Sequence, residues 1–392
     1  MQFWRNTASR RRWLGGKNTP IESPVPSQSL PAKSPPRPEW VRRIALVAVS
    51  LVFGLLSIEL GLRAVSGFLF WWPNFVVFAR TSLTGFHADA YVRDERLGYV
   101  PRPGFATENG YDAPEIHIDA QGFRVTGDAP TTAGAAPILA LGDSYTYGAE
   151  VADRATWPAH LQRLTGRPVL NAGVAGYGFD QIVLRAGVLA SSVHPSAIVV
   201  DFIADDLRRM EASRLWSADK PYFDIDNGQL VLRNVPLPPP TDPRRTLSPV
   251  QQVLGYSFLV DFIIRRLDLL ENWFGDHIRV HPAGTGEKIA CLLTGDLLDI
   301  QRKSAVPLLL VAQYDPFVWK TDAFAAEQRR ATKAVLDCAR QRGLKVLDTF
   351  DALAAAKTPG GPQGLYGQWH MNDAGNDVIA GLIAAALDQT AH

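Results

Sequence analysis

Four short stretches carry side chains that could do chemistry. In "GDSYTYG", Gly142, Asp143 and Ser144 leave an apolar run and approach a helix start. A serine there sits in the partial positive charge of backbone N–H groups, and it becomes a nucleophile once a base takes its proton. The stretch is not the nucleophile elbow G-x-S-x-G, because Thr146 occupies the last position. In "NAGVAGYGFD", Gly173, Gly176 and Gly178 let backbone N–H groups come close to a ligand. In "DFIADDLRR", Asp205 and Asp206 suit an acid/base couple, a metal-ligand pair or a helix-capping cluster, and capping is the default. In "YGQWHMNDAGN", His370 stands before a helix, with no acid in the three positions ahead of it. A serine and a histidine brought together suit acyl transfer through a covalent intermediate. Each also has a plainer role, Ser144 as a helix cap and His370 as a structural side chain.

These stretches need elements to carry them. "PILALGDS", "PVLNAG", "AIVVDFIA", "VPLLLVAQY" and "LKVLDTF" read as buried strands. Between and after them, "ATWPAHLQRLTG", "DQIVLRAGVLASS", "EKIACLLTGDLLDIQRKS", "DAFAAEQRRATKAVLDCARQRG" and "DAGNDVIAGLIAAALDQ" read as helices. Alternation at these lengths predicts an α/β fold, a five-stranded parallel sheet with helices on both faces. Ligands of such sheets bind at the carboxyl ends of the strands, where the polar loops above fall. Residues 207–284 break the rhythm. "YFDIDNGQLVLRNV" predicts a hairpin turning at Asn227–Gly228. "PVQQVLGYSFLVDFIIRRLDLLENWF" predicts one apolar helix, with Val250, Leu254, Phe258, Phe262 and Ile263 on its packed stripe. A cap over the site, or a surface touching lipid, is the alternative for this insertion.

Composition bounds the class. Hydrophobic content of 46% and charged content of 20% suit a globular protein, and a net charge of +1 gives no case for nucleic acid. Residues 1–43 are different, with nine arginines and lysines against Glu22 and Glu39 and many prolines and serines, a composition that predicts a disordered basic tail. "IALVAVSLVFGLLSIELGL" follows, close to the length that spans a bilayer core of about 30 Å. Glu59 and Arg63 can pair at its far end, and Trp71 and Trp72 suit an aromatic belt. Basic residues before the span put the N-terminus in the cytoplasm and the rest outside it. Cys291 and Cys338 lie on separate predicted helices. An extracytoplasmic compartment permits a bridge, but two independent buried thiols are the reading adopted.

The four stretches in this order resemble the SGNH hydrolases, the GDSL lipase/esterase family, over roughly 136–390. The upstream "IELGLR", "DERLGYVPRPG" and "IDAQGFR" look like the prelude of its membrane-anchored bacterial members. The resemblance implies a flavodoxin-like sheet. It makes Ser144 the nucleophile and His370 the general base, with the backbone N–H groups of Ser144 and Gly176 facing the oxyanion. Asp205 stands where the family has an asparagine donor, so it serves only if burial keeps it protonated, and otherwise it turns away. Gly367 stands where the family has the acid that orients the histidine. A backbone carbonyl, leaving a Ser–His dyad, or Asp315 at the end of the fourth strand are the substitutes. Asp143 and Asp206 are supporting residues.

The expected organisation is a tail (1–43), a transmembrane helix (44–63), a linker and short-stranded prelude (64–135), the hydrolase domain in two parts (136–206 and 285–392) and the insertion or cap (207–284). The expected protein is a single-pass protein of the bacterial inner membrane with its catalytic domain in the periplasm, cleaving a small-molecule, lipid or glycan ester without metal or cofactor. An envelope-polysaccharide acyltransferase or deacetylase using the same acyl-enzyme, and a glycan- or lipid-binding relic, are the alternatives.

Overall fold

The computed structural model describes residues 38–81, 88–108, 114–127, 129–216, 218–239, 243–267, 269–275 and 277–389. Most of the expected basic tail lies outside the described residues. The chain forms two compact units, Met1–Ser57 and Ile58–His392. The described part of the first belongs almost wholly to helix α1 (Glu39–Val65), which is long and apolar enough to cross a membrane. The last turns of α1, from Ile58, belong to the second unit.

The second unit is organised on five parallel strands, β1 (Ile138–Leu141), β2 (Val169–Asn171), β3 (Ala197–Phe202), β4 (Leu308–Ala312) and β5 (Lys345–Asp348). They lie in the order β2-β1-β3-β4-β5, with Leu139 opposite Ile198 and Val199 opposite Leu309. Every residue of β1, β3 and β4 is buried, as strands covered on both faces require. Alternate side chains divide between two cores. Leu139, Leu141, Ile198 and Leu310 meet α4 (Phe179–Val193), α9 (Thr285–Ser304) and α10 (Asp322–Gln341). Ile138, Ala140, Val199 and Leu309 meet α3 (Trp157–Thr165) and α11 (Asp373–Asp388). Each of these leucine, isoleucine and valine side chains contributes about 1.5–3 kcal/mol when fully buried.

Local signals fix the helix ends. The Thr156 hydroxyl accepts from the Ala159 N–H at the start of α3, and Gly166 closes it in the left-handed region. Asn372 does the same for α11 through the Gly375 N–H. Helices α9 and α10 pack side by side, and Cys291 and Cys338 meet across them in a disulfide with Cα atoms 5.4 Å apart. That corrects the expectation of two separate thiols. Spacing along the chain carries no information on which face of each helix meets the other.

The prelude forms two small antiparallel pairs, Tyr91–Asp94 with Gly98–Pro101 and Ala106–Thr107 with Ile116–His117. It joins the sheet at Arg124, whose N–H donates to the Asn171 carbonyl of β2 at 3.0 Å. Within the insertion, Asn227–Gly228 turn a hairpin, both with positive φ. The expected single apolar helix is instead three, α6 (Pro249–Leu254), α7 (Phe258–Arg266) and α8 (Leu270–Phe274). Ser257 ends the first by capping the second, its hydroxyl accepting from the Val260 N–H. Of the stripe only Phe258 packs, against Phe68 and Phe75, while Val250, Leu254, Phe262 and Ile263 are exposed.

Candidate active site

Strand β1 ends in Gly142–Asp143 and turns straight into the short helix α2 (Ser144–Tyr147). Gly142 is required here, because a Cβ would lie 2.1 Å from the Thr146 hydroxyl. Thr146 itself points inward and donates to Asp201 at 3.0 Å, so the residue that breaks the elbow pattern anchors the turn from below. Asp143, wholly buried, caps α2 by accepting from the Tyr145 N–H at 2.9 Å. Ser144 lines a cavity of about 990 Å³ together with Gly176, Asp205, Asp315, Arg208 and His370.

His370 reaches the serine. Its Nε2 lies 2.9 Å from Ser144 Oγ, and its Nδ1 lies 3.1 Å from a carboxylate oxygen of Glu150. Glu150 is the residue that sequence reasoning missed. It follows α2 on the same loop as the nucleophile and holds a positive φ of 69°. Its carboxylate also accepts from the backbone N–H groups of Gln368 (2.8 Å) and Trp369 (3.0 Å), so it caps the tight turn that carries His370. Burial pushes the Glu150 carboxyl pKa up, but bonds from His370 and these N–H groups outweigh it and hold the group below its ordinary value. Gly367 explains itself at the same point. A Cβ there would lie 2.5 Å from the Glu150 carboxylate, so this acid occupies the space a side chain at 367 would need. Neither expected substitute for the acid fills that place. Asp315 lines the cavity, but its carboxylate caps a 3-10 turn by accepting from the Phe317 N–H at 2.8 Å. The only signal for Glu150 was an acid six positions after Ser144, which nothing in composition marks.

The loop that carries Glu150 is gripped from beneath by Arg124, the arginine of "IDAQGFR". Its guanidinium is buried and donates to the carbonyls of Tyr147 (2.8 Å), Gly148 (2.6 Å), Val151 (2.7 Å) and Glu115 (2.8 Å) and to the Asp153 carboxylate (2.7 Å). Asp153 also bonds His117 Nδ1 at 2.8 Å, and that bond raises the pKa of His117. Glu115, His117 and Asp153 stand close enough to hold a metal ion. The Arg124 guanidinium already occupies one Asp153 oxygen, and its charge opposes a cation there.

On the other side, α5 (Ala204–Arg209) carries the paired acids. Asp206 is buried and accepts from the Ile203 N–H at 3.0 Å, the capping role. Arg209 ties the floor together, donating to Asp206 (2.6 Å), Asp143 (3.1 Å) and the Tyr177 carbonyl (3.0 Å). Asp205 is paired with Arg208 at 2.5 Å and Arg209 at 2.9 Å. Burial works to raise its pKa, but the two arginines prevail and hold it below the ordinary value. Of the two alternatives expected for Asp205, this pairing favours the second, in which it is not a donor. Its charge is offset by two cations. Gly176, with φ 80°, lines the cavity opposite, and the neighbouring Ala175 carbonyl accepts from Tyr99 of the prelude at 2.8 Å.

Residues 140–378 match the model of the GDSL-like lipase/acylhydrolase family, more than half of the chain. Among solved structures the chain is similar to an alpha/beta hydrolase from the metagenome of Lake Arreo, Spain (15% identity, 67% of this chain and 97% of that one, TM-score 0.38). It is also similar to the lipase/acylhydrolase from Enterococcus faecalis (14%, 65% and 96%, TM-score 0.35) and to a member of the lipolytic protein G-D-S-L family from Veillonella parvula DSM 2008 (11%, 64% and 96%, TM-score 0.34). No curated protein matches the sequence.

Proposed function

The chain belongs to the GDSL-like lipase/acylhydrolase family, which acts on esters, and on that premise we propose a serine hydrolase working through Ser144, His370 and Glu150. The observation that carries this reading is the continuous relay from Ser144 Oγ to His370 Nε2 and from Nδ1 to Glu150. As Ser144 Oγ attacks the ester carbonyl, its proton passes to His370 Nε2, and the Glu150 carboxylate holds the imidazole in the tautomer that can accept it. The imidazolium then gives that proton to the departing alcohol oxygen as the C–O bond breaks. Water repeats the exchange on the acyl-enzyme, giving the acid and restoring the serine.

The tetrahedral oxyanion needs fixed donors. The backbone N–H groups of Ser144 and Gly176 are assigned to it, and each donor of this kind is worth about 10²- to 10³-fold in rate. Asp205, ionised and paired, contributes none. Arg124 is a positioning residue that keeps the Glu150 loop in place.

The same proposal puts the protein in the bacterial inner membrane, held by α1, with its catalytic domain in the periplasm. The arginine excess before the span supports that orientation, and the Cys291–Cys338 disulfide suits an oxidising compartment. A fluorophosphonate probe tests the chemistry. It is expected to label the wild type and not Ser144→Ala; equal labelling of both would overturn the assignment.

A further inference from the structure

The inserted helices are built the wrong way round for contact with water. In α6 the buried side chain is Gln251 and in α7 it is Asp261, which pairs with Arg265, while Phe258, Leu259, Val260 and Ile264 are half-buried. Outward stand Val250, Val253 and Leu254 on α6 and Phe262 and Ile263 on α7, with Val253 72% exposed. A helix packed on a core and facing solvent shows the reverse distribution.

Two side chains at the end of α1 lock this face in place. The Glu59 carboxylate accepts from the backbone N–H groups of Phe258 and Leu259, both at 2.7 Å, and from the Ser257 hydroxyl at 2.8 Å, so it sits on the N-terminus of α7. Arg63 donates to Glu59 at 2.6 Å, to the Trp71 carbonyl at 3.1 Å and to the Tyr256 carbonyl. Its guanidinium also lies 3.6 Å from the centre of the Trp72 ring. The inverted helices are thus fastened to the two turns at which the apolar helix ends. Trp71 and Trp72 beside them are half exposed, and at the end of α7 Arg265, paired with Asp261, and Arg266 are exposed.

We propose that the outward face of α6 and α7 lies in the interfacial layer of the bilayer that α1 enters, a second contact of the catalytic unit with lipid. Continuity with the end of the apolar helix selects lipid as the occupant. The tryptophans and arginines at its rim suit the headgroup region and its anionic lipids. The inference rests on the anchoring part of the proposed function and is independent of the ester chemistry.

The two cysteines of the chain are bonded to each other, so an introduced cysteine is the single free thiol. The full chain carrying Val253→Cys, Ile263→Cys or, as a control on the hairpin, Gln229→Cys is labelled with an environment-sensitive fluorophore in vesicles of phosphatidylethanolamine and phosphatidylglycerol. With brominated acyl chains, emission at positions 253 and 263 should fall at least about twofold against position 229, as burial in the headgroup–acyl boundary requires. Unquenched labels on protein that resists alkaline carbonate extraction would overturn the lipid contact and leave the anchor standing. Release of the wild type by carbonate would overturn both. Labels that are shielded but unquenched would mean a protein partner on this face, and would also overturn it.

Discussion

Arg63 and Arg124 are both wholly buried, and each draws a carboxylate and several backbone carbonyls around one guanidinium. Around Arg124 the neighbouring side chains, Tyr147, Val151 and Ile116 among them, are buried as well, and the loop it grips carries Glu150. Around Arg63, Phe75 and its ring neighbours Phe68 and Phe258 pack inward, and α6 and α7 turn Val250, Val253, Leu254, Phe262 and Ile263 outward. One device therefore does two jobs. Five donors in a fixed fork suit any place where a loop has carbonyls to satisfy, and the surroundings decide whether that loop serves a reaction or a surface.

Glu150→Gln tests the catalytic side most severely. An amide in place of the carboxylate keeps the shape but loses the charge, and its NH2 facing Nδ1 holds His370 in the wrong tautomer, so kcat for a soluble aryl ester should fall by about 10⁴ with KM little changed. Arg124→Ala comes next. Releasing the 147–153 loop should move Glu150 by a fraction of an ångström to an ångström and lower kcat by about 10². Arg124→Lys should fail to restore it, because a single ammonium cannot bond all five acceptors. Arg63→Met should leave kcat for the same soluble ester within about twofold, while loosening α7 and weakening lipid quenching at position 253. If Arg63→Met and Arg124→Ala cost turnover equally, the contrast between the two regions fails.

The smallest effect is a pH dependence. The Asp153 bond raises the pKa of His117, so its contribution to stability is complete below the ordinary histidine value of about 6.5 and is lost as pH rises through the raised value. The gap in melting temperature between wild type and His117→Gln should therefore shrink between neutral and alkaline pH. A gap that stays constant would separate His117 from the Arg124 clamp.

Much of the frame was legible because it rests on short-range patterns. The five strands announce themselves as apolar runs such as "PILAL" and "AIVVDF", bounded by turns, and Thr156 and Asn372 mark helix starts by residue type. The insertion was legible only in part, one expected helix being three, for the opposite reason. A stripe at helical spacing says which side of a helix is apolar, and it does not say whether that side meets protein or lipid. Asp205 stays between two alternatives in the sequence because its state depends on where Arg208 and Arg209 put their charge, which no single stretch shows.

The sequence by itself determined the alternation of strands and helices and the apolar span, since each is written in residues near in the chain, while Ser144 and His370 entered as a pair through the family resemblance. The tertiary structure decided what completes that pair. Glu150 lies 220 residues from His370, its backbone takes a left-handed turn held by an arginine of the prelude, and a Cβ at residue 367 would come within 2.5 Å of its carboxylate. The same holds for the Cys291–Cys338 bond and for the pairing of Asp205 with Arg208 and Arg209. Each is set by which surfaces meet, and that information is not carried by any one stretch of the chain.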